Sequence, residues 1–131
     1  MIEVCSHVEL LHSILKRYGL PPDTLEVTSD IQKWCQSNAI PETNPFRQAK
    51  CFYDANKCHI VMREQISEDM IKSAKSSMEI TIFKKEVTSL TTDTLYLVHL
   101  ILHEIACFIL QTSEQEARDR WAFDELPKHL V

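Results

Sequence analysis

The sequence predicts an α+β fold in which a small antiparallel sheet or hairpin packs against helices. Residues 95–110 form a nearly continuous apolar run of helical length, which is typical of a buried core helix. Residues 48–63 contain two short runs rich in aromatic and β-branched residues around a polar turn, which is typical of a hairpin. The chain has 131 residues, 44% of them hydrophobic, and can bury one core, so we expect a single domain over residues 1–131.

The first part of the domain, residues 1–45, is predicted to be helical. Apolar residues recur at helical spacing over residues 2–18, and Gly19 with the prolines that follow it ends the helix. Residues 23–38 predict a second helical region, in which an interruption before Ser29 is left open. The later prolines of this part mark a loop rather than a domain boundary.

The middle part, residues 46–90, begins with the hairpin. Its predicted strands are residues 48–53 and 58–63, joined by residues 54–57, whose Asp and Asn favour a tight turn. This is the clearest local pattern in the chain.

A helix over residues 66–77 follows the hairpin, with Ser67 as its N-cap. Polar and apolar residues alternate at the start of residues 79–83, which favours a third strand. The wider segment 78–87 fits more than one structure.

The last part, residues 91–131, is predicted to contain two helices. A polar cap at Thr92 or Asp93 begins a long helix that ends near Gln111, and residues 112–113 begin a final helix that Pro127 closes.

Composition excludes two classes of function. The single glycine rules out a Walker A loop and a dinucleotide fingerprint, because both need several glycines where the backbone approaches phosphate. The net charge is −5 and the longest basic runs are pairs, so the chain lacks the positive surface of a nucleic-acid-binding protein.

Charge and cysteine patterns point to a cytoplasmic protein without a membrane span. The N-terminal segment carries acidic residues and histidines where an export signal needs an unbroken apolar stretch. The apolar run is interrupted by His99, His103 and Glu104 and is shorter than the about 20 residues of a membrane span. The five cysteines are an odd number without C-x-x-C spacing, so we expect reduced thiols and no four-cysteine zinc site.

The residues that could carry chemistry lie on the long helix, in the run HEIAC at positions 103–107. In a His-Glu-x-x-His site, two ligands four residues apart share one helix face and the adjacent Glu polarises a metal-bound water. Here Cys107 occupies the second ligand position. A thiolate binds zinc, but Sγ is only one bond from Cβ, so Cys107 reaches less far than a histidine.

The runs HEIACFIL and EQEARDRWA, together with the hairpin before them, resemble the ImmA/IrrE-like zinc metallopeptidase family of HExxH zincins. The resemblance implies a minimal zincin-like fold, a zinc cofactor and a protein or peptide substrate. It also implies that His103 is the first zinc ligand, Glu104 the general base and Glu116 the carboxylate ligand, with Glu114 as the alternate.

Two departures from the family pattern bear on activity. The second histidine is replaced by Cys107, and the connection from Cys107 to Glu116 is short. Either Cys107 or His99 would complete the metal set. A shifted site that uses His99 and His103 displaces Glu104 from its usual relation to the metal, and it predicts binding or structure rather than hydrolysis.

Each of these residues also has a plain structural interpretation. His103 is as typical of a hydrogen-bonded core histidine as of a zinc ligand, and Cys107 is more typical of a small buried hydrophobe. Ser113 and Glu116 have the spacing of a capping box.

Glu104 is as typical of a structural ion pair, with Arg118 or Arg120, as of a catalytic base.

Two hypotheses therefore stand. The first is a zinc-dependent peptidase with an altered site that cuts a cytoplasmic protein. The second is an inactive zincin-type domain that acts as a regulatory or interaction module.

Overall fold

A computed structural model of the chain describes residues 1–54 and 56–129, and its α+β architecture confirms the predicted fold class. The described residues form five α-helices, five strands and several short 3-10 helices. In chain order the described elements are β1 (Ile2–Glu3), a 3-10 helix (Val4–His7), α1 (Val8–Arg17), a 3-10 helix (Pro22–Thr24), β2 (Leu25–Thr28), α2 (Ile31–Ser37), β3 (Ala49–Asp54), β4 (Lys57–Arg63), β5 (Gln65–Ile66), α3 (Glu68–Glu79), a 3-10 helix (Glu86–Ser89), α4 (Asp93–Leu110), α5 (Gln115–Glu125) and a 3-10 helix (Leu126–His129).

The main sheet has three strands in the order β2-β4-β3. β3 and β4 pair antiparallel, with Cys51 opposite Ile60 and Tyr53 opposite Cys58, which confirms the predicted hairpin. β2 pairs parallel with the other edge of β4. The short strands β1 and β5 form a separate antiparallel pair.

The third strand of the sheet is β2, and the prediction of a strand at residues 79–83 is wrong. In the structure, the helix α3 continues through Glu79 and then turns. The hydroxyl of Thr81 donates to the Met78 carbonyl and accepts from the Phe83 amide, so a local turn replaces extended pairing. Phe83 is buried while Ile80 is 89% exposed, as a turn anchored by one aromatic side chain requires.

The N-terminal part is less helical than the sequence predicts. The predicted helix over residues 2–18 begins instead at Val8, after a short strand and a 3-10 turn. The interruption left open before Ser29 is the strand β2, and only α2 of the second predicted helical region remains. Ser67 and Thr92 cap α3 and α4 as predicted.

The core lies between one face of the main sheet and the helix α4. Ile101, Leu102 and Ile105 of α4 are fully buried, and each such side chain contributes about 1.5–3 kcal/mol through its burial. By length and composition α4 could cross a membrane, but 56% of that stretch is buried inside the fold, as in the core helix of a soluble protein. A smaller core, formed by Ile31, Cys35 and Val61, joins α2 to the opposite face of the sheet.

Candidate functional site on the motif helix

The helix α4, called the motif helix below, packs against α5, and the two helices run in opposite directions. His103 meets Asp119 and Glu104 meets Arg118, so the two helices run antiparallel where they pack. The short connection begins where Gln111 ends α4 in the left-handed conformation at φ 52°. The Thr112 hydroxyl then accepts from the Glu114 amide, which turns the chain into α5.

His99, His103 and Asp119 form one side-chain group, called the histidine cluster below. Nδ1 of His103 is 2.7 Å from Oδ1 of Asp119, a hydrogen bond in which the imidazole N–H donates. Nε2 of His99 is 3.8 Å from the same oxygen. Within the described part of the chain, this buried His99 atom has no hydrogen-bond partner.

His99 is held in place by packing. It is 4% exposed and its ring lies against Phe123, with ring centroids 4.2 Å apart. Burial lowers the pKa of His99 to about 4, although the charge of Asp119 opposes part of this effect. The side chain is therefore a neutral imidazole at neutral pH.

Glu104 forms a buried ion pair with Arg118. One carboxylate oxygen accepts a hydrogen bond from the guanidinium at 2.9 Å, and Glu104 and Arg118 are 4% and 8% exposed. Nε of Arg118 also donates to the backbone carbonyl of His103. This outcome confirms the structural ion pair that the sequence offered as one interpretation of Glu104. Arg120 instead pairs at the surface with Glu86.

The second carboxylate oxygen of Glu104 lies 4.0 Å from Nε2 of His103. Both side chains line a groove of about 380 Å³ that is bordered by the start of β3. An adjoining cavity of about 450 Å³ reaches His99 and Asp119. Tyr96, whose hydroxyl donates to Gln48, lines both spaces, and burial raises its pKa to about 12.

The remaining predicted site residues do not join this group. Cys107 is 7% exposed and lies near the hairpin thiol of Cys51. Glu116 is exposed on the first turn of α5. The capping-box interpretation of Glu116 is wrong, because Glu114 rather than Ser113 is the N-cap and no side chain caps this helix.

A zinc site of the predicted kind is not assembled in the described residues. No group of three or more His, Cys, Asp and Glu side chains there is arranged to hold a metal ion. In the histidine cluster, the 2.7 Å contact is a hydrogen bond and is too short for two ligands of one ion, whose tetrahedral bonds of about 2 Å set them over 3 Å apart.

Asp119 is the site residue that sequence reasoning missed. It lies one helical turn beyond Glu116, so the same helix face that suggested Glu116 also presents Asp119. Spacing alone does not say which of the two carboxylates faces α4, because that depends on where α5 begins.

Comparisons with protein-family models, with curated proteins and with solved structures find no match to this chain.

Proposed function

We propose that this domain is a non-hydrolytic protein of zincin-like design that binds an extended peptide segment of a cytoplasmic protein partner. The observation that carries the proposal is the buried ion pair between Glu104 and Arg118. A general base needs a lone pair that faces the substrate and can take its proton. Here one carboxylate oxygen is held by the guanidinium inside the fold, which favours a structural role for Glu104.

The geometry beside this ion pair suits peptide binding. β3 forms one edge of the main sheet and pairs only with β4 among the described strands. Because the Arg63 amide donates to the Gln48 carbonyl, the alternation of the ladder turns the amides of Ala49, Cys51 and Tyr53 outward. Such an edge accepts an added strand, and the adjoining groove offers space for its side chains.

A display selection with random peptides, followed by amide chemical-shift mapping with a selected peptide, tests this proposal. We expect the outward amides of Ala49, Cys51 and Tyr53 to shift more than the inward amides of Lys50 and Phe52. Peptides that bind only elsewhere on the surface contradict the proposed mode. We expect the bound peptide to remain intact.

A zinc-dependent peptidase is the second candidate, and one observation favours it. Asp119 holds Nδ1 of His103, and metal-ligating histidines commonly donate their other nitrogen to a carboxylate in this way. His103 and Glu104 both line the groove, with Nε2 of His103 4.0 Å from the second carboxylate oxygen of Glu104. Zinc bound there would supply an acidified water.

Zinc content and peptide cleavage separate the two candidates. For the non-hydrolytic domain, we expect no cleavage of the selected peptide with or without added zinc. Zinc-dependent cleavage that disappears in Glu104→Gln while the bound zinc is retained supports the peptidase and overturns our first proposal. Arg120→Gln, at an exposed position of α5, is the matched control for a charge change that leaves the buried pair intact.

A further inference from the structure

Cys51 and Cys58 form a pair of thiols within the hairpin, separate from the histidine cluster. Their Sγ atoms lie 3.8 Å apart, and all five cysteines of the described chain are free thiols. Cys58 lies opposite Tyr53, two residues along β3 from Cys51, so both sulfurs project from the same face of the hairpin. No other thiol pair in the described residues shows such a contact.

We propose that Cys51 and Cys58 form a reversible disulfide bond when the chain meets a small disulfide oxidant such as oxidised glutathione. The two sulfurs already face each other, and closing the bond requires them to approach from 3.8 Å to about 2.05 Å. Cys51 is half-buried at the sheet edge and admits the oxidant, whereas Cys58 is 3% exposed. The bond links diagonal rather than directly opposed positions, so strain makes it readily reducible.

The net reaction consumes one oxidised glutathione. Two cysteine S–H bonds break, one S–S bond forms between Cys51 and Cys58, and the two electrons and two protons reduce the oxidant to two glutathione thiols. The thiol of Cys51 hydrogen-bonds to Cys58 and lowers the pKa of Cys58, while that bond and burial raise the pKa of Cys51. In the exchange, the thiolate of one cysteine attacks the oxidant to give a mixed disulfide and one glutathione thiol, and the other cysteine then displaces the second glutathione thiol.

Peptide mapping of the oxidised chain tests the proposal directly. Reduced protein is incubated with oxidised glutathione, the remaining thiols are alkylated, and the chain is cut with trypsin. Cleavage after Lys50, Lys57 and Arg63 releases residues 51–57 and 58–63 as separate peptides. We expect them to be joined, with a mass lower by two hydrogen atoms than their sum, and dithiothreitol to separate them.

Variants assign the bond to this pair. Cys51→Ser and Cys58→Ser should each abolish the linked peptide, while Cys107→Ser, which changes a neighbouring thiol on α4, should leave it unchanged. Recovery of both peptides in alkylated form, a lasting glutathione adduct on Cys51, or a link from Cys51 to Cys107 overturns the proposal. The mapping of the unaltered chain decides the matter even if a variant fails to fold.

Discussion

The motif helix carries reactive side chains on two sides, and the side chains on each side have different kinds of partner. Toward α5, Glu104 and His103 are each held by a side chain that complements them, Arg118 and Asp119. Toward the hairpin, Cys107 lies near Cys51 and Cys58, whose thiols contact each other rather than a charged side chain. The side chains that the sequence pattern groups into one site are therefore divided between an ionic side and a thiol side.

The two sides of the motif helix differ in how a substitution lowers the stability of the fold. A buried carboxylate depends on its partner, whereas a buried thiol tolerates neutral apolar surroundings. Substitutions on the α5 side should therefore destabilise the fold through uncompensated charge, and those on the hairpin side through packing alone.

The largest expected effect is that of Arg118→Ala. It leaves the buried carboxylate of Glu104 without its cation, and we expect the free energy of unfolding to fall by about 3–5 kcal/mol. Urea unfolding measures the change. Arg120→Ala is the control, because its surface ion pairs are worth at most about 1 kcal/mol. Equal losses in the two variants would contradict the distinction between buried and exposed pairs.

The next largest expected effect is a pH dependence of the free energy of unfolding that His99 causes. Its pKa is about 4 in the fold and about 6.5 in the unfolded chain, so the unfolded state binds the proton first as the pH falls. This contribution is fully present above pH 6.5 and is lost between about pH 6.5 and 4, where we expect a loss of about 3 kcal/mol. Urea unfolding across this range should show a smaller loss for His99→Gln than for the unaltered chain. Parallel pH profiles for the two proteins would contradict the assignment to His99.

A smaller effect is expected for Cys107→His, which completes an HExxH pattern on the motif helix. The larger side chain enters a packed position beside the hairpin, and we expect a loss of about 1–3 kcal/mol of stability. Zinc titration by calorimetry should show no gain in affinity. Cys5→His, at an exposed position, is the control for the added imidazole. A strong gain in zinc affinity for Cys107→His alone would show that the two sides can still form one metal site.

The smallest expected effect is that of Asp119→Asn. The amide oxygen still accepts from His103 but without its charge, so we expect the free energy of unfolding to fall by about 1 kcal/mol. Asp124→Asn, at the exposed end of the same helix, should change stability by less than about 0.5 kcal/mol. If both variants behave alike in urea unfolding, the bond between His103 and Asp119 adds no stability.

Local sequence signals predicted the hairpin and the caps of α3 and α4, because turn residues and cap hydroxyls act over a few positions. They did not predict β2, whose four residues gain their stability from a parallel partner far along the chain. Residues 79–83 alternate like a strand, but Thr81 closes a local turn instead. The sheet position that a third strand would fill is taken by β2.

The sequence likewise predicts part of the candidate site but not all of it. The helix motif predicts His103 and Glu104, and the sequence offers Arg118 or Arg120 as the partner of Glu104, of which the structure shows Arg118. Asp119 was missed because its role depends on how α5 crosses α4, and that crossing is determined by a connection whose turn geometry no motif specifies.

The most direct test of the central claim, that Glu104 is held by Arg118 rather than free as a base, is a double-mutant cycle. The free energies of unfolding of Glu104→Gln, Arg118→Met and the double variant are measured by urea denaturation. We predict that the two residues are coupled by at least about 2 kcal/mol, as contacting buried partners can be. Additive effects, with a coupling below about 0.5 kcal/mol, would contradict the claim.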